Sequence, residues 1–445
     1  MARSSGAANT VDSIDLLHRM FAAAVEAAQP EKVMAAWLPP RPKGRTVVIG
    51  AGKASAAMAA AFEAAWDGPL EGLVVTRYGH AAPTTWVQVV EAAHPVPDAN
   101  GVAASHRLLE LVANLGPDDL IVALVSGGGS ALLTLPPPNV SLEAVQGLTR
   151  MLLESGAPIM AMNCVRKHVS RILGGRLAAA APHTPMVTLV VSDVPGDDAG
   201  AIASGPTVPD PTPQARAILD GYAIRPDPAI AAWLEHAEAE TPKPDDPSFA
   251  GKKVRVICSA MRSLQAAADL ARRHGYTPLI LSDAIEGESR EVAKVHAALA
   301  RSARRHGEPA APPVAILSGG ETTVTVRHRG RGGRNGEFAL ALAVALADEP
   351  GVHALAADTD GIDGTENNAG AVIGPDTLER ARGLGLDPMD FLDRNDSYPL
   401  FQALGALLIT GPTRTNVNDF RAILVQPDGG WAVAPERGSG SGPEV

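Results

Sequence analysis

Apolar residues along the chain follow two different spacings, and together these spacings predict an α/β protein. Leu16 and Met20 lie one helical turn apart in a periodic stretch, so residues 12–28 are predicted to form a helix. Farther along, continuous apolar runs such as 45–50 and 119–125 are separated by segments with helical periodicity. Such runs are typical of strands that are buried on both faces of a mainly parallel sheet.

The alternation of elements continues along most of the chain and is interrupted once. The other predicted strands are 72–77, 86–92, 186–192, 253–258, 278–282, 313–318, 322–326 and 352–357. The other predicted helices are 53–66, 99–115, 141–155, 158–179, 261–275, 288–306 and 335–348. The proline- and acid-rich segment TPKPDDPSFAGK, residues 241–252, is a candidate domain boundary. We therefore expect two α/β domains, 1–248 and 249–430, with mainly parallel or mixed sheets covered by helices, followed by a flexible tail at 431–445.

Composition narrows the class of protein. Hydrophobic residues make up 46% of the 445 positions and charged residues 20%, as in a globular protein with large cores. A formal net charge of −11 and an aromatic content of 4% disfavour a nucleic-acid binder, and no apolar run is long enough to cross a membrane. The two cysteines, Cys164 and Cys258, lie far apart and form neither a disulfide framework nor a zinc motif. The sequence predicts a cytoplasmic enzyme without nucleic-acid or membrane partners, and a homodimer is one assembly that it allows.

The first candidate site is the turn VVIGAGKAS, residues 47–55. Gly50 and Gly52 match the start of a dinucleotide-binding fingerprint, and Arg77, at the end of the next strand, could accept the extra phosphate of NADP. The phosphate-binding loop of nucleoside triphosphatases is excluded because Ala54 follows the lysine. Lys53 itself stands at a helix start, where a cation is unfavourable unless an anion joins it. A phosphate or carboxylate partner is favoured over a plain strand–helix connection.

A second glycine turn and an acidic strand end add further candidates. Gly127, Gly128 and Gly129 follow a buried strand between Ser126 and Ser130, and their backbone amides could converge on an anion. Asp193 ends another buried strand, which is where ligands bind in open α/β sheets. It could hold Mg²⁺ or orient a hydroxyl, or it could be a plain loop residue.

Arginines and acids follow the later strands. Arg327 and Arg329 are explained by a solvated loop, whereas Arg334 stands at a Gly-Gly turn before a helix, where an anion would be clamped. Asp358 and Asp360 belong to the segment DTDGIDG. The spacing does not fit a calcium-binding EF-hand, which leaves a turn stabilised by aspartates or a site for Mg²⁺ or a hydroxyl.

These segments, in order, resemble the type II glycerate kinases, a two-domain family whose C-terminal part is the MOFRL domain. The resemblance covers about residues 12–425 and rests on GAGKAS, HPVPD, SGGGSALL, NCVRKHVSRILGGRLA, SDVPGDDAGAIASGPTVPD, LSGGETTVTV, GGRNGE, DTDGIDGTENNAGA and TRTNVNDFRAILV. It implies transfer of the γ-phosphoryl group of ATP to the 2-hydroxyl of D-glycerate, giving 2-phosphoglycerate, with a divalent cation such as Mg²⁺ and an active-site cleft between the domains. Members of the family often carry the name hydroxypyruvate reductase, in the context of tartrate degradation.

The resemblance implies that Lys53 and Arg334 are active-site residues. With Asp193 they form the predicted catalytic set, and Asp193 and Asp360 are the competing candidates for the metal ligand. Arg166 is a candidate for the substrate carboxylate, although a surface charge on an amphipathic helix would explain it equally well. The predicted substrate- and phosphate-binding residues are Ser126, Gly127, Gly128, Gly129, Ser130, Arg166, Glu321 and Asn335.

Two positions depart from the family pattern, and two other functions stay open. Gly336 stands where many members have glutamine, and Asp358 stands where many have a small residue. An NAD(P)H-dependent hydroxypyruvate reductase is the main alternative, and a non-catalytic sensor of sugar acids is the other. The reductase would need a nucleotide pocket beside Arg77, whereas the sensor would need only the anion-binding turns.

Overall fold

The computed structural model of the protein describes residues 12–212 and 215–427. Its strands are β1 (Thr46–Ala51), β2 (Glu71–Arg77), β3 (Val87–Ala92), β4 (Leu120–Ser126), β5 (Met186–Val191), β6 (Lys252–Cys258), β7 (Thr277–Glu288), β8 (Val314–Thr323), β9 (Val352–Asp358), β10 (Gly370–Ile373), β11 (Leu407–Leu408) and β12 (Asp419–Val425). Its α-helices are α1 (Ser13–Ala27), α2 (Pro30–Val33), α3 (Ser55–Ala65), α4 (Ala99–Ala113), α5 (Gly129–Leu132), α6 (Leu142–Glu154), α7 (Ile159–His168), α8 (Arg176–Ala179), α9 (Ala215–Gly221), α10 (Pro228–Trp233), α11 (Ala260–Arg273), α12 (Ser289–His306), α13 (Arg334–Leu346), α14 (Thr377–Gly383), α15 (Pro388–Asp393) and α16 (Ser397–Ala403).

The chain divides into two compact units, each built on a six-stranded sheet. The first comprises residues 29–259 and 414–416 and is called here the all-parallel unit. The second comprises the described residues among 12–28, 260–413 and 417–427 and is called the mixed-sheet unit. The prediction of two α/β units with parallel or mixed sheets is confirmed.

The all-parallel unit has the strand order β3-β2-β1-β4-β5-β6, and every neighbouring pair is parallel. Strands β1 and β4 are buried along their whole length, as their continuous apolar sequences predict. Helices α4, α5 and α8 contribute to the core on one face, and a separate core joins α6, α7, α9 and α10. The order of strands reverses between β1 and β4, which makes that position the topological switch point of the sheet.

The mixed-sheet unit has the strand order β11-β10-β9-β12-β8-β7. Only β7 and β8 pair in parallel, and the other four neighbouring pairs are antiparallel. Helices α12 and α13 cover one face of this sheet, and α1 and α11 cover the other. Helix α1 begins with Asp12, whose carboxylate accepts a hydrogen bond from the amide of Ile14.

The division of the chain differs from the predicted one at two places. Strand β6 was expected to open the second domain, but it pairs with β5 and completes the parallel sheet, so the first unit ends at Ser259 rather than at 248. Helix α1 was expected in the first domain, but its apolar side packs against α11 and β12 of the mixed-sheet unit. Proline-rich composition located the irregular segment correctly but could not reveal which sheet the next strand joins.

Two predicted elements were wrong in detail. The helix expected over 158–179 is interrupted after α7, because the chain leaves helical geometry at Val169 (φ −99°, ψ 35°). Gly174 and Gly175, with positive φ angles of 59° and 85°, then keep the chain non-helical up to the start of α8. The separate strand expected at 322–326 does not form, because β8 continues to Thr323 and the chain then enters a loop. The predicted tail at 431–445 lies outside the described residues. Within the described ranges, no helix has both the length and the apolar character needed to cross a membrane.

Candidate active site

Two of the predicted glycine turns lie side by side at the switch point of the parallel sheet. Lys53 follows β1, and Gly127 to Gly129 follow β4, the neighbouring strand. The backbone amide of Lys53 donates to the carbonyl of Gly127 over 2.9 Å, which ties the two turns together. Sequence reasoning placed both turns at strand ends, and the strand order makes them neighbours.

The first turn does not offer its backbone to an anion. The amide of Gly52 donates to Val75 of β2, that of Lys53 to Gly127, and that of Ala54 to the hydroxyl of Ser126. Gly52 has a φ of 142°, and a methyl group there would lie 2.1 Å from Oγ of Ser126. A dinucleotide pyrophosphate binds to free amides at such a turn, so the fingerprint resemblance does not hold here. Ser126, predicted to bind phosphate, is buried and serves to connect the turns.

The second turn leaves its amides available. Within residues 12–212 and 215–427, the amides of Gly127, Gly128, Gly129 and Ser130 donate no hydrogen bond to the protein. Gly128 has a φ of 81°, and a methyl group there would lie 3.2 Å from Cγ of Lys53 and 3.3 Å from Nε2 of His94. Consecutive free amides beside a lysine form a concave site suited to an anion.

A group of cations surrounds His94. Burial and, to a lesser extent, the positive charges of Lys53, Arg77 and Arg166 together lower the pKa of His94 to about 4. The imidazole is therefore neutral near pH 7 and can donate one hydrogen bond and accept another. This neutral group among positive charges was not predicted, although its motif HPVPD was part of the resemblance.

Arg166, predicted to bind the substrate carboxylate, lies on α7 and is half-buried. Its Nη1 donates to Oδ1 of Asn163 over 3.3 Å, and no carboxylate of the described chain lies within ion-pair distance. Burial lowers the pKa of the guanidinium. Buried cations are normally paired, so an unpaired one at a candidate site indicates an anionic ligand.

Asp193 follows β5 and lies against the glycine turn. A methyl group at Gly127 would lie 1.5 Å from Oδ2 of Asp193, so only glycine leaves room for the carboxylate. In the described ranges, no three or more histidine, cysteine or acidic side chains form a metal-binding group. Mg²⁺ at phosphoryl-transfer sites is commonly held by one or two carboxylates together with substrate phosphates. A single carboxylate beside free amides fits that mode of binding.

Arg334, the other predicted catalytic residue, lies at the start of α13 in the mixed-sheet unit. Its Nε donates to Asp419 over 2.6 Å, its Nη1 to Glu321 over 2.9 Å, and its Nη2 to Asp358 over 2.9 Å. Burial by itself lowers the pKa of Arg334, but the three carboxylates raise it above its ordinary value. The anion expected beside this arginine is supplied by the protein itself. Glu321, predicted to bind phosphate, is one of these carboxylates and is half exposed.

Asp419 connects two arginines at the centre of this network. Its Oδ1 accepts from Arg334 and from Nδ2 of Asn335, and its Oδ2 accepts from the fully buried Arg421 and from the amide of Thr322. Burial tends to raise the pKa of Asp419, but the charges of Arg421 and Arg334 bring it below its usual value. Asn335, predicted to bind substrate or phosphate, is wholly buried in this network.

The N-terminus of α13 is also occupied by a protein carboxylate. Asp363 accepts hydrogen bonds from the amides of Asn335 and Gly336 over 3.0 and 2.8 Å. Burial raises the pKa of Asp363 to about 6, although the two amides act in the opposite direction. This carboxylate caps the helix, so an external phosphate is not needed there.

The aspartates of DTDGIDG stabilise a turn. This is one of the two structures that the sequence allowed for the segment, the other being a site for Mg²⁺ or a hydroxyl. Oδ1 of Asp358 accepts from the amide of Asp360, and Oδ1 of Asp360 accepts from the amide of Ile362. Burial and the charge of Asp360 raise the pKa of Asp358 well above its ordinary value. Asp360, the second candidate metal ligand, belongs to the mixed-sheet unit, whereas Asp193 belongs to the all-parallel unit.

Both departures from the family pattern lie in the Arg334 network. Asp358 supplies one of the three carboxylates on Arg334. A methyl group at Gly336 would lie 2.6 Å from Oγ of Ser397, so a side chain there requires this hydroxyl to move. In this chain, a carboxylate replaces a small residue directly beside the predicted catalytic arginine.

Comparison with known proteins gives a consistent result. Residues 16–235 match the model of a domain of unknown function, DUF4147, and residues 314–419 match the MOFRL family. The chain is 39% identical to a D-glycerate 2-kinase of Thermotoga maritima, over 90% of this chain and 95% of that protein. It is 52% identical to a protein of Agrobacterium vitis that carries a provisional hydroxypyruvate reductase name, over 94% and 95% of the two chains.

A solved structure agrees with the sequence relatives. The crystal structure of a glycerate kinase from Thermotoga maritima superposes with a TM-score of 0.85 at 36% identity, and the match covers 92% of this chain and 98% of that one. Fold, domain order and sequence therefore point to the same relatives, which confirms the resemblance inferred from the motifs. The chain belongs to the two-domain glycerate kinase family whose C-terminal part is the MOFRL domain.

Proposed function

We propose that the protein transfers the γ-phosphoryl group of ATP to the 2-hydroxyl of D-glycerate and releases ADP and 2-phosphoglycerate. The relatives named as glycerate kinases support this activity, since this chain matches them over nearly its whole length. The observation that carries the proposal is the cluster at the switch point. This cluster combines free amides, a lysine and an arginine without a carboxylate partner, and such groups bind an anionic substrate.

Each residue of this cluster has a distinct role. Arg166 binds the glycerate carboxylate, because it is the half-buried cation without a protein carboxylate. The amides of Gly127 to Gly129 and the charge of Lys53 bind the transferred phosphoryl group and neutralise its charge in the transition state. Asp193 supplies the carboxylate beside the glycine turn. An oxygen–phosphorus bond forms to the glycerate hydroxyl, the bond between the phosphoryl group and ADP breaks, and the hydroxyl proton passes to water.

Asp193 is also the residue that would hold Mg²⁺. A cation held there would supply positive charge to offset that of the phosphate oxygens. Asp193 is preferred over Asp360 because it lies beside the free amides of the glycine turn, whereas Asp360 stabilises a turn of the mixed-sheet unit. A cytoplasmic location is proposed because the buried Cys164 and Cys258 form no disulfide within the described residues, which suits a reducing compartment.

Arg334 acts in this proposal as a fixed charge. Its three carboxylate partners keep its guanidinium in one orientation. One of them, the carboxylate of Asp419, is fully buried. An anion can bind there only by displacing a carboxylate such as the half-exposed Glu321. The arginine predicted from the sequence is retained as an active-site residue, with Glu321 as the group that gives way.

The hydroxypyruvate reductase alternative loses its main structural support. The first glycine turn uses its amides within the protein, so the pyrophosphate of a nicotinamide cofactor has no donors there. Arg77 is exposed at the end of β2 and needs no nucleotide to explain it.

A paired assay tests the function. Purified protein is incubated with D-glycerate, ATP and Mg²⁺ and assayed for ADP, and separately with hydroxypyruvate and NADPH and assayed for cofactor oxidation. Glycerate-dependent ADP formation without NADPH oxidation is expected. NADPH oxidation without ADP formation would identify the reductase instead, and the absence of both activities would favour a sensor.

A further inference from the structure

A chain of hydroxyl and amide groups links the glycine turn to Arg166. The hydroxyls of Ser130 and Ser204 lie 2.7 Å apart, and the Ser204 hydroxyl donates to Oδ1 of Asn163 over 3.2 Å. The same Oδ1 accepts from Nη1 of Arg166. An arginine can only donate, so the amide orientation of Asn163 is fixed, and its oxygen must face both partners.

The direction of each hydrogen bond follows from this arrangement. A serine hydroxyl has one proton to donate. Ser204 uses its proton on Asn163, so Ser130 must be the donor in the pair of serines. Ser130, which is half-buried beside the free amides, therefore keeps only acceptor capacity for a ligand.

The backbone around Ser204 is held in an unfavourable conformation. Ala203, Ser204 and Gly205 have successive φ angles of 52°, 55° and 53°, a region that residues with a side chain rarely adopt. The carbonyl of Ser204 accepts from the amide of Gly174 and that of Gly205 from the amide of Gly175. Strain of this kind persists only where surrounding contacts enforce it, and it concentrates at functional positions.

We propose that Ser204 is a positioning residue that makes the site specific for a hydroxy acid. Arg166 binds the carboxylate, and Ser130 accepts a hydrogen bond from a hydroxyl of the same molecule. A 2-oxo acid such as hydroxypyruvate places a carbonyl oxygen where glycerate has its 2-hydroxyl, and that oxygen faces the lone pairs of Ser130. This inference rests on the proposed function, because it assumes that Arg166 binds the glycerate carboxylate.

The test compares two variants that lose the same hydroxyl. Ser204→Ala keeps the strained backbone, whereas Ser204→Gly relieves it, so a shared effect belongs to the hydroxyl. Both are expected to weaken D-glycerate binding about fivefold in calorimetry without ATP, which is the effect of losing one hydrogen bond between uncharged groups. The KM for glycerate should rise by a similar factor, with the KM for ATP unchanged and kcat changed less than KM. Thr188→Val is the matched control, since it removes a buried bond between the hydroxyls of Thr188 and Thr207 in the same unit.

Selectivity provides a second readout. The wild-type protein should bind D-glycerate more tightly than hydroxypyruvate. Both Ser204 variants should reduce the ratio of these two affinities. If Ser204→Ala does not fold, the unstrained glycine variant carries the test. Wild-type binding by both variants, or equal increases in the KM values for glycerate and ATP, would overturn the positioning role. If the positioning role fails in this way but the wild-type protein has glycerate kinase activity, the proposed function stands. If the wild-type protein binds D-glycerate but forms no ADP, the proposed function is contradicted and the positioning role is not.

Discussion

The two units of this protein both place arginines beside glycine-rich turns, but they satisfy those charges in opposite ways. In the all-parallel unit, Arg166 has no carboxylate partner, and the glycine turn keeps its amides free. In the mixed-sheet unit, Arg334 is bound by three carboxylates, and the start of its helix is capped by Asp363. A buried charge without a carboxylate partner is directly available to a ligand, whereas one surrounded by carboxylates stabilises the fold and can bind an anion only after a carboxylate is displaced.

This difference changes what each unit should tolerate. Removal of a partner from the closed network exposes a buried charge to an apolar environment, so stability falls. Removal of a cation from the open cluster takes away a charge that acts on the ligand, so activity falls and the fold persists. The predictions below separate these two responses.

The largest expected effect is on the stability of the mixed-sheet unit. Asp419→Ala leaves Arg421 and Arg334 without their shared carboxylate and should lower the free energy of unfolding by about 3–5 kcal/mol, measured by urea denaturation. Glu321→Ala is the control, because its carboxylate is half exposed and its removal should cost about 1 kcal/mol or less. Equal losses in the two variants would show that the network is not the stabilising element we describe.

Acid should destabilise the all-parallel unit through His94. The pKa of His94 is about 4 when folded and near its ordinary value of 6.5 when unfolded. Between these values the unfolded chain binds a proton that the folded chain does not, so stability falls as pH drops through this window. Relative to His94→Gln, the wild type should lose about 3 kcal/mol between about pH 7 and pH 4. A difference between the two proteins that is independent of pH would contradict the buried, neutral imidazole.

Asp363 in the mixed-sheet unit should change stability with pH in the opposite direction to His94. Its pKa is about 6 when folded and 3.8 when unfolded, so the folded protein binds the proton more tightly between these values. The contribution to stability is complete below the unfolded pKa and is lost as pH rises through about 6. Relative to Asp363→Asn, the wild type should lose slightly less than 3 kcal/mol from about pH 4 to pH 7. His296 is present in both the wild type and Asp363→Asn, so its contribution cancels in the comparison. A wild type that loses stability relative to Asp363→Asn as the pH falls would contradict the raised pKa of Asp363.

Lys53→Ala tests the open cluster by activity. The variant should lose on the order of 10² or more in kcat/KM, about 2.7 kcal/mol, with unchanged unfolding. Arg77→Ala is the matched control, because Arg77 contributes to the same positive field but is exposed at the end of β2. A near-normal rate for Lys53→Ala would remove this lysine from the site, and a larger loss in Arg77→Ala would revive the nucleotide-binding alternative.

The sequence predicted most of the fold because its signals are local. Continuous apolar runs located β1 and β4, and the helical spacing of α1 was correct almost to its ends. What failed depends on contacts distant in sequence. Nothing local indicates that α1 packs in the mixed-sheet unit or that β6 joins the parallel sheet.

The site shows the same limit. Glycines and a lysine at strand ends were sufficient to select Lys53 and Gly127 to Gly129, because strand order makes such ends converge. The partners of Arg334 were not predictable, since Asp419 lies 85 residues away along the chain. The role of Ser204 depends on a backbone conformation and a hydrogen-bond direction that no motif encodes.

A crystal structure of the protein with D-glycerate would test most directly whether the open cluster binds the substrate. We predict that the carboxylate contacts the guanidinium of Arg166 and that a hydroxyl donates to Oγ of Ser130, with Arg334 still bound to Asp419. Glycerate bound to Arg334 in place of its carboxylates, with Arg166 unoccupied, would contradict the distinction between the open and the closed cluster.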